Sequence, residues 1–274
     1  MSHWYTKNGK AMHRVPGKTV AERDTTIADA RIMGLLPSVS GITKMWANPG
    51  LDRWKQDITI ESALKFAIQS YGEMDADKLY ADIRAESNKV AGAAADLGVK
   101  IHAAIESALG HQEWENQAVE LADGKFVELK ELVDPALKKL EELGINIVET
   151  EKVVTSLSHG YAGQMDVSYV KGDLAGVLDF KSTKTKPLKK IDVRQGQSMQ
   201  IAAYHHACWS SKDKPHFQPN HQGINLYIST TEIGRVDVVK YDAAELAKQW
   251  DGFLACLTLW RLQNNYDPRT KEVV

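Results

Sequence analysis

Asp166 stands in Gly163-Gln164-Met165-Asp166, and Asp179 and Lys181 stand two apart in Leu178-Asp179-Phe180-Lys181. Both stretches read as strands, so Asp179 and Lys181 share one face and Phe180 takes the other. A hairpin through Lys171-Gly172-Asp173 can bring Asp166 alongside that pair. Two carboxylates at a strand end suit a hard divalent cation such as Mg²⁺ or Mn²⁺. A neighbouring lysine can orient or deprotonate water and offset charge at a phosphate. An isolated Asp-x-Lys is ordinarily solvated surface charge, but four companions change its meaning. Glu151 lies 15 residues before Asp166 on the preceding strand, with Glu149 as a weaker candidate on the same face. Gly98, His102 and Glu106 lie one helical turn apart beside an apolar stripe of Leu97, Ile101, Ile105 and Leu109, so His102 can offer an imidazole. Gln200 and Tyr204 share a helical face and can hydrogen-bond a phosphate or the lysine's surroundings. Lys181, Lys184, Lys186, Lys189, Lys190 and Arg194 put six basic residues in fourteen against the single acid Asp192. With the hydroxyls of Ser182, Thr183 and Thr185, they form a local patch suited to backbone phosphates.

The elements that must position these residues follow from pattern. Residues 1–30 show no strong period and read as loop with an edge strand. Pro37-Ser38 reads as a helix start capped by Ser38 or Ser40, followed at helical spacing by Leu51, Trp54 and Ile58. Two or three helices are expected over 59–110 and another over 113–143, with Gly144 as its stop. The period then changes to that of strands at 145–154, 161–170 and 174–181. A helix over 194–209, strands at 223–229 and 235–241, and a helix over 243–265 complete the order. This is an α/β layered core with a helical N-terminal elaboration. It is expected as one domain over 1–274, with 1–145 mostly helical and 146–274 carrying the sheet.

Composition excludes several classes. The chain has 274 residues, is 43% hydrophobic and 26% charged, and carries a net charge of -2, which does not describe a disordered or uniformly basic protein. No apolar run is long enough to span a membrane, and Met1-Ser2-His3-Trp4 lacks a signal-peptide pattern. Two cysteines, Cys208 and Cys256, are too few for a disulfide framework or a four-cysteine cluster and read as core residues. The expectation is a cytoplasmic, reduced protein. His205 and His206 are neighbours on a helix and point in different directions, so one metal ion cannot comfortably use both.

Taken in order, His102, Glu151, Asp166, Asp179-x-Lys181 and Gln200-x-x-x-Tyr204 resemble the PD-(D/E)XK nuclease superfamily. The likeness is nearer to its RecB-type nuclease domains, phage exonucleases and the mitochondrial genome-maintenance exonuclease, and it covers roughly 34–205. Leu36-Pro37-Ser38-Val39-Ser40 and Leu51-Asp52-Arg53-Trp54 look like that branch's opening, with Ser40 where Thr is more usual. Gly98-x-x-x-His102, Tyr161-Ala162-Gly163-Gln164-Met165-Asp166, Asp179-Phe180-Lys181-Ser182-Thr183 and Gln200-x-x-x-Tyr204 resemble its later motifs.

The resemblance implies a restriction-endonuclease-like core, a central mixed sheet flanked by helices. It implies one or two Mg²⁺ or Mn²⁺ ions held by His102, Asp166, Asp179 and the Phe180 carbonyl. Glu151 would support the metal and Lys181 would assist the water, with Gln200 and Tyr204 beside them. DNA contacts would fall to Ser38, Ser182, Thr183, Lys184, Lys186 and Arg194. The cluster cysteines of some relatives are missing, so no iron–sulfur cluster is expected. The implied activity is hydrolysis from DNA ends in recombination, repair or phage DNA processing. A single-strand annealing or single-strand binding protein is the implied partner, and an oligomer is compatible. Trp46, Trp54, Tyr71 and Tyr80 are candidates to stack on bases. An endonuclease of the same superfamily, or a DNA-binding accessory protein without activity, remains open.

Overall fold

A computed structural model of the chain describes residues 3–17, 21–47, 49–69, 75–121, 123–210 and 217–270. The N-terminal segment forms β1 (Trp4–Tyr5), β2 (Arg14–Pro16) and β3 (Glu22–Asp24), then α1 (Ile27–Met33) and β4 (Leu36–Pro37). α2 (Val39–Thr43) starts where Ser38 accepts the Gly41 N–H at 3.0 Å, so Ser38 and not Ser40 is the cap. The alanine- and glutamate-rich region folds as two long helices, α3 (Pro49–Gln69) and α4 (Ala76–Leu109). Among the described side chains of α3, Ile58 is buried; the side chain of Leu51 and all of Tyr71 lie outside the described residues.

The helix expected over 113–143 is shorter. Its first half is a small hairpin, β5 (Ala118–Glu120) and β6 (Phe126–Glu128), and α5 (Lys130–Leu143) follows. Gly124, at φ +81°, makes the turn, a backbone conformation that Asp-Gly sequences favour over helix. The acidic composition of this stretch masked that signal. Gly144 does end α5, in the left-handed region at φ 58°.

The five remaining strands and two helices are β7 (Asn146–Ser156), β8 (Tyr161–Lys171), β9 (Leu174–Thr183), α6 (Gln195–Trp209), β10 (His221–Ser229), β11 (Val236–Tyr241) and α7 (Ala243–Asn264). They build a mixed sheet in the order β11-β10-β9-β8-β7. β9 and β10 are parallel, and α6 supplies the crossover that parallel neighbours need. α6 and α7 cover one face, packing with Val154, Tyr161, Met165, Val177 and Tyr241. α4 and α5 cover the other, with Val167, Tyr169, Leu178, Phe180, Ile224 and Leu226. No helix of the described residues is long and apolar enough to cross a membrane.

Two departures from a regular sheet position the site. β8 and β9 pair from Lys171↔Leu174 to Val167↔Leu178, after which β8 continues with β7 and β9 continues with β10. The sheet forks at Asp166 and Asp179, and Ser38 bridges Ala162 inside the opening. In addition, Met165 packs on the α6–α7 side and Val167 on the α4–α5 side, although residues two apart in a strand normally share a face. The change falls at Asp166, level with Glu151, whose φ of 49° is left-handed and unusual for any residue but glycine.

Gly163 is required by close approach: a Cβ there would lie 2.6 Å from Tyr204 Cε1 and 3.2 Å from Val39 Cγ2. Gly163→Ala therefore drives β8 from α6. Urea denaturation should show a loss of about 1–3 kcal/mol, the usual cost of overpacking; an unchanged midpoint would contradict the packing described.

Candidate active site

The fork gathers charge that a closed sheet would leave apart. Asp179 is almost fully buried and its carboxylate pairs with Lys181 Nζ from the same strand face. Asn225 Nδ2, on β10, donates to the same carboxylate oxygen at 3.3 Å, and Tyr241 Oη fixes Asn225 by donating to its Oδ1 at 3.0 Å. Asp166 Oδ2 accepts the backbone N–H of Phe180 at 2.7 Å and lies 3.5 Å from His102 Nδ1. Burial, and then the charge of Asp179, raise the Asp166 carboxyl well above the ordinary carboxylate range, against the opposing influence of Lys181 and the Phe180 N–H.

His102 arrives from α4. Leu97, Ile101 and Ile105 bury the stripe beside it, and Gly98 allows the helix to approach, since a Cβ there would lie 3.0 Å from Ser182 Oγ. The His102 ring meets Phe180 edge-on at 6.0 Å between centroids. Burial lowers its pKa; the charge of Asp179 and a hydrogen bond with the Phe180 backbone oppose this, while Lys181 adds to it.

A cleft of about 610 Å³ opens beside these groups, lined by Ser38, Ser40, Gly98, His102, Glu106, Glu151 and Tyr204 among others. Glu151 accepts from Gln164 Nε2 at 2.8 Å. Burial first, then the neighbouring charge of Glu106, push its carboxyl up to about 7. Glu149 instead pairs with Lys152 at 2.6 Å. Gln200 Nε2 donates to Tyr204 Oη at 2.9 Å, and burial raises the Tyr204 phenol well above its ordinary value.

The basic segment lies beyond the end of β9. Ser182 and Thr183 are half-buried, whereas Lys184, Lys186 and Arg194 are exposed, and none of the five lines the cleft. The segment's backbone is held down: Thr185 Oγ1 bonds Ser229 and Glu232, and Arg235 donates to the carbonyls of Lys186 and Lys189 at 3.1 and 2.7 Å. Of the stacking candidates, Trp46 and Tyr80 are exposed and Trp54 is half-buried, and none of them lines the cleft. His205 and His206 do diverge, the first bonding the Ala175 carbonyl and the second stacking on Trp250 at 3.9 Å. Cys256 is buried and Cys208 half-buried.

Sequence reasoning missed five contributors: Asn225, Gln164, and a trio from the N-terminus, His3, Tyr5 and His13, that lines the cleft. An asparagine inside the apolar run Ile224-Asn225-Leu226 was a usable signal for the first. The trio lies in a stretch without periodicity and gave none.

Two buried carboxylates, a backbone carbonyl and an imidazole form a donor set that fits a hard divalent cation. Among the described residues, however, no three His, Cys, Asp or Glu side chains already form a cage. Asp166 is engaged by Phe180 and His102, and Asp179 by Lys181, so a cation would displace those contacts.

No family model matches this chain, and no curated protein matches it. Among solved structures, SSO0001 is similar over 73% of this chain and 85% of its own, at 12% identity and a TM-score of 0.27, a likeness that carries no argument.

Glu151 gives a pH prediction. Its folded pKa, about 7, exceeds its ordinary value of 4.5, so its contribution to stability is present below about 4.5 and lost as pH rises through 7. In EDTA, Glu151→Gln should gain on the parent protein between pH 5 and pH 8 by about 1 kcal/mol, reduced from the full linkage value because solvent reaches the group. Urea unfolding across that range checks it, and a pH-independent difference would sink the assignment.

Proposed function

We propose that this protein is a metal-dependent deoxyribonuclease that hydrolyses phosphodiester bonds from DNA ends, with a PD-(D/E)XK type of core. The observation that carries the reading is the meeting of Asp166, the Asp179–Lys181 pair and His102 at the fork of the sheet. A divalent cation held by Asp166, Asp179, the Phe180 carbonyl and His102 would polarise the scissile phosphate and make bound water more acidic.

The chain's own residues supply the rest. Lys181, paired with Asp179 on one strand face, orients the attacking water and offsets charge on the phosphate. Glu151, held by Gln164 across the cleft wall, takes up a proton readily near neutral pH. Tyr204, with Gln200 fixing its hydroxyl, hydrogen-bonds a phosphate oxygen and keeps its proton. Ser38, which lines the cleft, and Ser182, Thr183, Lys184, Lys186 and Arg194, which lie outside its lining, are assigned to the DNA backbone. The preference for DNA, for ends, and for a single-strand annealing or binding protein as partner rests on the motif resemblance.

Digestion of end-labelled linear DNA and covalently closed circles, in Mg²⁺ and in EDTA, tests this. Linear DNA should be lost in Mg²⁺ and preserved in EDTA, and Lys181→Ala should slow the reaction by roughly 10²–10⁴-fold. Cutting of the circle would establish the endonuclease instead. Binding without cleavage of either substrate would establish an accessory protein and remove the catalytic roles of Asp166, Asp179 and Lys181.

A further inference from the structure

The cleft has one wall with no part in the chemistry proposed above. His3 and His13 both line it, on the N-terminal segment that β1–β4 pairing holds beside α2. Their rings stack, 4.5 Å between centroids and 22° from parallel. His13 is fixed from behind: its Nδ1 accepts the Trp4 N–H at 3.1 Å, and Tyr5 meets it edge-on at 5.0 Å. That hydrogen bond places the proton of a neutral His13 on Nε2. His3 is anchored through its carbonyl, which accepts the Ser38 N–H at 3.1 Å, and the residue is exposed.

From this geometry we infer that His3, backed by His13, is a stacking platform for a nucleobase of the strand that enters the cleft. The inference rests on the nucleic-acid reading above and deepens it. Two parallel rings present a flat π-surface, which any base can cover. Face-to-face imidazoles do not aim their nitrogens at a common ion, so the pair does not make a metal site. Partial burial, and then the neighbouring imidazole of His13, lower the pKa of His3; burial lowers that of His13 as well. Both rings are therefore neutral at neutral pH and recognise a base better than a phosphate. The cation needed for the adjoining phosphate is at hand: Lys44, exposed, lies close enough to contribute to the lowering of His3.

The test uses the full chain and an oligonucleotide carrying the fluorescent base 2-aminopurine at its terminal nucleotide, in EDTA. Binding should quench the probe. His3→Ala should weaken affinity roughly 5–100-fold and relieve the quench, and His3→Phe should restore both, because a phenyl ring stacks without donating a hydrogen bond. The dependence of affinity on salt should be unchanged in His3→Ala and shallower in Lys44→Ala, which removes a phosphate contact. Unaltered binding and quenching in His3→Ala, with the parent protein still binding and cleaving, overturns the platform alone. A His3→Phe variant as defective as His3→Ala also overturns it. If the parent protein binds no oligonucleotide and cleaves none, the nucleic-acid reading falls and the platform falls with it.

Discussion

The Phe180 N–H is bonded to the carboxylate of Asp166, in the region where β8 and β9 have stopped pairing, and the site is organised around that substitution. Parting two strands deprives backbone groups of their partners, at about 1–3 kcal/mol for each buried group left unmet. Here a side chain meets the need. The same bond that permits the fork fixes the orientation of Asp166 within it. Everything else converges on the opening: Ser38 bridges Ala162 along one edge, α4 brings His102 across the top, and Tyr204 fits against Gly163.

The fork also concentrates charge of one sign. Asp166 and Asp179 are both buried, and burial together with the charge of Asp179 makes ionisation of Asp166 less favourable. The protein balances this unevenly. Asp179 has the Lys181 ammonium and the relay from Tyr241 through Asn225, while Asp166 has one backbone N–H and an imidazole that burial disposes to stay neutral. The asymmetry leaves Asp166 the group most in need of a positive partner.

Much of this arrangement was legible in the sequence because its parts repeat with the period of their element. The alternation of Asp179, Phe180 and Lys181 foretold that the two charged side chains share a face and that Phe180 takes the other, and Gly98 with His102 foretold a helix that could approach the sheet. Ser38 announced its helix by capping chemistry. What was not legible came from backbone geometry and long-range contact. Nothing in a glutamate signals the left-handed conformation of Glu151, and nothing local tells that Met165 and Val167 face opposite cores. His3 and His13 reach the cleft through the pairing of β1 with β4, a contact without a periodic imprint. The β5–β6 hairpin was hidden because its acids suit an exposed helix as well as an exposed ribbon.

The loop after β9 has a thermodynamic meaning of its own. A flexible basic loop would have to be ordered when it meets an anion, at about 1–2 kcal/mol of backbone entropy for each residue fixed. In this chain Thr185 and Arg235 hold the loop by its hydroxyl and carbonyls, leaving the Lys184 and Lys186 side chains outside. The entropy of the backbone is surrendered when the protein folds. Contact with an anion would then cost little beyond the restriction of side-chain rotamers, because the backbone is already ordered.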